Sequence, residues 1–233
     1  DKRLKIVTVS VRIRPGVPPP NFSKVDVQCA NCTILWQSIP MTELHLVFGD
    51  DIRSPLPTDV EVMYLGMGCF WGAEKKLWAA PGVVRTVVGY MGGQTPDPLY
   101  PVVKTGTTGH AEIVMVAYDP QITSTYDILK IFWENHDPTQ GNRQGNDIGT
   151  QYRSAVYWTT PAQEEIVRET RDAYNDVLVK LGFDPISTEL DSADGKTFWY
   201  AEEYHQQYLI KNPNGYDCHA HTGILLPALK ESV

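Results

Sequence analysis

Val60-Glu61-Val62-Met63-Tyr64-Leu65, then Gly68-Cys69-Phe70-Trp71-Gly72, then Ala73-Glu74-Lys75-Lys76-Leu77-Trp78-Ala79-Ala80 follow one another with only Gly66 and Met67 intervening. The first block reads as a strand and the last as a helix, with Leu77 one turn on from Ala73. The middle block therefore falls on a strand-to-helix junction. A thiol there lies at a helix N-terminus, where unpaired backbone N–H groups and the macrodipole favour the thiolate. The sequence thus predicts an ionised, reactive Cys69, with Phe70 and Trp71 walling an apolar pocket beside it. The competing reading is a buried cysteine packed as a small hydrophobe. Flanking glycines and the helix start favour the reactive one. A nucleophilic sulfur beside aromatic rings points to an enzyme that attacks a small, partly apolar group.

Outward from this junction, strand and helix patterns mix. Residues 83–90 form a β-branched run ending at Gly92-Gly93, and residues 111–118 alternate, with Ile113, Met115 and Ala117 facing one way and Glu112, Val114 and Val116 the other. Residues 123–136 read as a helix capped by Ser124 or Thr125, with Ile128, Leu129, Phe132 and Trp133 as its apolar stripe. Residues 152–158 read as a strand. Thr160 as N-cap, Pro161 at N1 and Gln163 at N3 open a helix that runs to Leu181, with Gly182 at C′. Residues 186–190 and 197–200 suggest two more strands joined as a hairpin at Asp194-Gly195, and a short helix follows near 202–210. This mixture predicts an α+β fold, a two-layer α/β sandwich. The stretches 91–110 and 137–151 are long for loops in a compact domain, so they are expected to be functional.

At 233 residues with 42% hydrophobic content, the chain holds one large domain or a typical domain with an appendage. Twenty basic against 28 acidic residues leave a net charge of −8, which argues against nucleic acid as a partner. No apolar stretch approaches the ~20 residues of a membrane span. Cys29, Cys32, Cys69 and Cys218 could form two disulfides, but a chain of this size needs no staples, and catalytic thiols in a reducing compartment are the better reading. The expected location is cytoplasmic. The basic start (Lys2, Arg3, Lys5, Arg12, Arg14, Lys24) raises a mitochondrial alternative, although Pro15, Pro18, Pro19 and Pro20 oppose the amphipathic helix that targeting requires. Residues 1–58 are read as an N-terminal extension and 59–233 as the catalytic domain.

Three further clusters carry candidate chemistry. Tyr100 and Gly109-His110-Ala111-Glu112 form the first. Taken alone, Glu112 reads as an edge-strand carboxylate in water; in a dry pocket it would instead stay protonated and serve as a general acid. The second, residues 142–154, is either a solvated loop or a site in which Asp147 and Tyr152 bind a polar substrate oxygen. The third, residues 212–218, places Cys218 on a turn-rich segment, either as an idle surface thiol or as one that closes a disulfide with the first. Two rivals stand beside these readings. One is a Cys–His hydrolase or transferase using His110, His136 or His205; the other is a small metal module built on Cys29-Ala30-Asn31-Cys32 with Cys218, His219 and His221.

GCFWG at 68–72, TGHAE at 108–112, FWENHDPTQGNRQGNDIGTQYRSA at 132–155 and YAEEYHQQYLIKNPNGY at 200–216 resemble, in order, the motifs of the A-class peptide methionine sulfoxide reductases. The resemblance implies a mixed sheet with a ferredoxin-like core, long functional loops and a loop-rich C-terminal tail. It implies reduction of methionine S-sulfoxide, free or in oxidised proteins, with no metal or organic cofactor. By the same resemblance Cys69 is the nucleophile, Phe70 and Trp71 hold the methyl group, and Glu112 is the acid. Tyr100 and Tyr152 bind the sulfoxide oxygen, Asp147 orders the site, and Cys218 is the resolving thiol. Thioredoxin or another dithiol is the implied reductant, and a monomer is expected. The chain departs from the commonest pattern at Gly215-Tyr216-Asp217-Cys218, where the cysteine stands one residue later and no further cysteine follows.

Overall fold

The computed structural model describes residues 43–218 and 220–229. β1 (Glu61–Met67) turns through Gly68 and Cys69 into α1 (Phe70–Trp78). Gly68 has φ +87°, and a Cβ there would lie 2.5 Å from the Gln144 side chain, so only glycine makes this turn. Then come β2 (Val83–Met91), α2 (Tyr100–Val103), β3 (Ala111–Tyr118) and α3 (Thr125–Glu134). Two short strands, β4 (Arg143–Gln144) and β5 (Asp147–Ile148), pair with each other. They precede β6 (Ser154–Trp158), α4 (Pro161–Lys180), β7 (Glu189–Ser192), β8 (Trp199–Tyr200) and α5 (Tyr208–Lys211).

Local chemistry sets the helix ends. Ser124 and Asp127 close a capping box on α3. The Thr160 side chain caps α4 by accepting from the Gln163 N–H. At its far end the Phe183 N–H reaches the Leu178 carbonyl and the Gly182 N–H reaches that of Val179, a Schellman motif.

Six strands form one sheet in the order β7-β6-β1-β3-β2-β8, antiparallel except for the β6–β7 pair. This is the mixed sheet of an α+β fold. Met63, Leu65, Val88, Val114, Val116 and Val156 pack from one face against Phe70 and Leu77 of α1, Phe132 and Trp133 of α3, and Val167 and Leu178 of α4. Burying Phe70 and Leu77 stabilises the position of α1 by ~1.5–3 kcal/mol each, which fixes where its first turn points. The other face is covered by Phe198 against Tyr64 and by Ile52 against Val87 and Met115. Residues 43–58, read above as part of an extension, therefore reach the sheet, and Arg85 pairs with Asp50 across that contact.

Three expectations change. The turn at Asp194-Gly195 exists, with Lys196 N–H on the Ala193 carbonyl, but β7 and β8 lie at opposite edges of the sheet and form no hairpin. Turn residues reverse the chain locally. Here Phe198 then packs across the sheet face and delivers β8 to the far edge. Glu112 is not on an edge: β3 runs between β1 and β2, and Glu112 is 2% exposed. The last helix is also shorter, covering Tyr208–Lys211 after a run of turns.

Candidate active site

Cys69, Phe70, Trp71, Tyr100, Glu112, Asp147, Tyr152 and Tyr216 line one cavity of about 100 Å³, the space of about three waters. Seven of these residues are predicted from the sequence. The eighth predicted residue, Cys218, lies outside, in a groove that shares Tyr216 with the cavity. A larger open groove of about 550 Å³ near Trp158 and Asp194 has no cysteine in its wall.

Each wall is positioned by the fold. Cys69 is the N-cap residue of α1, and its carbonyl accepts the Ala73 N–H. Glu112 reaches the same turn from β3 and accepts the Phe70 N–H at 3.0 Å. Tyr100 opens α2, where its N–H donates to Glu202 at 2.8 Å, and that carboxylate also accepts from the Tyr90 hydroxyl. Tyr152 follows β5 in a 3₁₀ turn and lines the same cavity as Tyr100. The β4–β5 pair carrying Asp147 is pinned by Gln144, whose amide bonds both ways to the Asp137 backbone. Trp71 is held twice: its Nε1–H donates to His205 Nδ1 at 2.9 Å, and its ring stacks on Tyr208 at 3.7 Å and 14°. Burial pushes His205 down to about 4, so the ring is neutral at physiological pH with its proton on Nε2.

The electrostatics differ from the sequence reading at one point. Burial pushes the Cys69 thiol well above its usual value, and the Glu112 carboxyl adds to this; a hydrogen bond from the Trp71 backbone pulls only weakly the other way. At 8% exposure, desolvation outweighs the helix N-terminus, so Cys69 rests as a thiol rather than a thiolate. Burial also pushes Glu112 up to about 8, against the pull of the Phe70 N–H, with Asp147 adding to the rise. Glu112 is a neutral acid at pH 7. Burial raises Tyr100 and Tyr152 as well, which keeps both phenols as hydroxyl donors.

The histidine rivals find structural explanations. His110 accepts from the Gly93 N–H and bonds the Thr95 carbonyl. His136 spans the Phe132 carbonyl and the Ser154 hydroxyl. Neither lines the cavity. Cys29, Cys32 and His219, proposed above for a metal, lie outside the described residues. Sequence reasoning missed Tyr216 as a cavity wall and His205, Tyr208 and Glu202 as supports. All four sit inside or beside the motif at 200–216, but nothing local shows that their side chains fold back onto α1.

A thiol and a neutral carboxylic acid opening on one small aromatic cavity define a cysteine-dependent enzyme. A family model described as peptide methionine sulfoxide reductase matches residues 61–232. Peptide methionine sulfoxide reductase MsrA of Pseudomonas aeruginosa is 52% identical over 191 residues, covering 82% of this chain and 88% of that protein. The protein of the same name from Rhodospirillum centenum is 51% identical, covering 82% and 86%. Among solved structures, methionine sulfoxide reductase A of Corynebacterium diphtheriae superposes with a TM-score of 0.70 at 44% identity, over 81% of this chain and 94% of that one. The chain belongs to the peptide methionine sulfoxide reductase family.

Proposed function

We propose that this chain reduces the S epimer of methionine sulfoxide, in oxidised proteins or free, to methionine, and so repairs oxidised proteins. The observation that carries this reading is the shared cavity of the Cys69 thiol and the buried Glu112 carboxyl, with two phenols beside them.

A sulfoxide sulfur is a poor electrophile until its oxygen gains a proton. Glu112 supplies that proton while the Tyr100 and Tyr152 hydroxyls bond the oxygen. The Cys69 sulfur attacks as its own proton leaves to replace the one Glu112 gave. The hydroxyl then passes from the substrate sulfur to the Cys69 sulfur: the substrate S–O bond and the transient S–S bond break, an S–O bond forms on Cys69, methionine departs, and Cys69 is left as a sulfenic acid. Cys218 then displaces that oxygen as water, forming a disulfide, and an external dithiol, thioredoxin in our reading, reduces it. Epimer choice follows from three fixed points. With the methyl group on Phe70 and Trp71, the oxygen on Glu112 and the sulfur facing Cys69, only one hand leaves the rest of the substrate pointing outward.

We assign residues 59–233 as the catalytic domain, in line with the match at 61–232, with residues 43–58 packed on its sheet. Among the described residues no helix is long and apolar enough to cross a membrane. We place the protein in the cytoplasm as a monomer, where a reducing environment keeps Cys69 and Cys218 as the free thiols seen here. Dithiol-driven reduction of the separated epimers tests the activity. Methionine is expected from the S epimer alone; equal turnover of both epimers, or of neither, overturns the reading.

A further inference from the structure

We propose that Asp147 is the base that takes the Cys218 proton when Cys218 closes on the oxidised Cys69. This rests on the resolving role of Cys218 proposed above. Three observations place the acid–base pair. Asp147 on β5 lines the cavity that holds Cys69, so it already faces the reacting sulfur. Cys218 Sγ lies 3.6 Å from the Gln144 carbonyl on the paired strand β4, and a Cβ built on Gly145 between those strands would stand 3.7 Å from it. The Tyr216 hydroxyl, two residues before Cys218, sits 3.2 Å from both Asp147 carboxylate oxygens and ties the two segments together. The Cys218 backbone in turn rests on the first turn of α1: a Cβ on Gly72 would approach its carbonyl to 3.1 Å and Asp217 Oδ1 to 2.7 Å. The thiol is thereby caught between the Asp147 hairpin and the helix that begins at Cys69.

Chemistry then requires a base. Burial pushes the Cys218 thiol up, and the neighbouring Asp147 carboxylate adds to this, so little thiolate forms unaided. Glu112 holds its own proton at pH 7 and cannot accept another. The groups facing Asp147 are Cys69, Glu112, Tyr100, Tyr152, Tyr216 and Cys218, and among the described residues no cation pairs with it. In the closing step the Cys218 S–H proton moves to Asp147 as the S–S bond forms. The Cys69 S–O bond breaks, and the leaving hydroxide takes the Glu112 proton as water. Asp147 then returns one proton to Glu112. One sulfenic acid and one thiol become one disulfide and one water, with no outside oxidant.

The test is single turnover of the full reduced chain with methionine S-sulfoxide and no reductant, following methionine release and disulfide closure separately. In the wild type, closure should stay nearly level through neutral pH. In Asp147→Asn, closure at pH 7 should fall by ~10²–10⁴ and recover about tenfold per pH unit as Cys218 ionises unaided, with Asp147→Glu restoring part of the rate. Wild-type closure that climbs tenfold per pH unit throughout overturns the proposal without any variant, and so does an Asn variant that closes at the wild-type rate. Absence of methionine release would instead sink the reductase reading itself, which the first readout reports independently.

Discussion

Helix α1 has a buried glutamate on either side. Glu112 comes in from β3, accepts one backbone N–H, from Phe70, and lines the cavity. Glu74, on the second turn of the helix, is enclosed. It accepts from the Thr86 hydroxyl at 3.1 Å, from the Gln207 side chain at 3.1 Å and from the Gln207 N–H at 2.8 Å, with His45 3.9 Å away. Burial raises both carboxyls, Glu112 to about 8 and Glu74 to about 7, where more hydrogen bonds hold the latter back. What separates them is the number of partners. A carboxyl with its donors in place builds structure: Glu74 pins Gln207 in a left-handed conformation of φ 47°, and the turn so held carries His205 and Tyr208 onto Trp71. A carboxyl with one donor and an open side can hand over a proton.

The largest effect should separate the two by activity. Glu112→Gln keeps the shape but has no acid proton, so single-turnover sulfoxide reduction should fall by ~10²–10⁴, whereas Glu74→Gln should lose less than about tenfold. Equal losses would erase the distinction drawn here.

Stability against pH should then show what the two share. Each has a folded-state value above its ordinary 4.5, so each stabilises the fold fully below about 4.5. That contribution is lost as pH rises through about 7 for Glu74 and about 8 for Glu112. For Glu112 the loss is on the order of a few kcal/mol. Urea titrations should therefore find Glu112→Gln gaining stability relative to the wild type between pH 5 and about 9. A constant difference across that range would contradict the raised value.

Next in size, Glu74→Ala at pH 6 strips donors of their acceptor, and each buried one left unpaired costs about 1–3 kcal/mol. The urea midpoint should drop while the folded fraction still reduces sulfoxide. The smallest effect concerns the C-terminal segment. Lys75 on α1 pairs with Asp217 at 3.0 Å, and Lys75→Gln should slow disulfide closure up to about fivefold, in line with the ~0.2–1 kcal/mol of an exposed pair. Added salt should mimic it, and methionine release should not change.

Much of this molecule is legible in the chain. The strand-to-helix junction at 60–80, the Ser124 and Thr160 caps and the stop at Gly182 are local signals, and each governs its own few residues. Seven of the eight cavity residues could be named because the family resemblance carries them. Other features depend on packing at long range. The hairpin expected at Asp194-Gly195 fails because Phe198 finds its place on the sheet face, 134 residues along the chain from Tyr64. Thiolate formation at Cys69 was expected from the helix start alone; burial beneath Glu112 and the C-terminal segment reverses it. Tyr216 and His205 reach the site through long-range bonds, Tyr216 to Asp147 and His205 to Trp71, on a segment that Glu74 anchors at Gln207.

The most direct test is the pH dependence of methionine release in single turnover, for the wild type and for Glu112→Gln. A neutral acid and a resting thiol predict a wild-type rate that holds through neutral pH, declines above about 8, and loses that decline with the Gln variant. A rate that keeps rising through pH 9 in both proteins, tracking thiolate at Cys69, would contradict it.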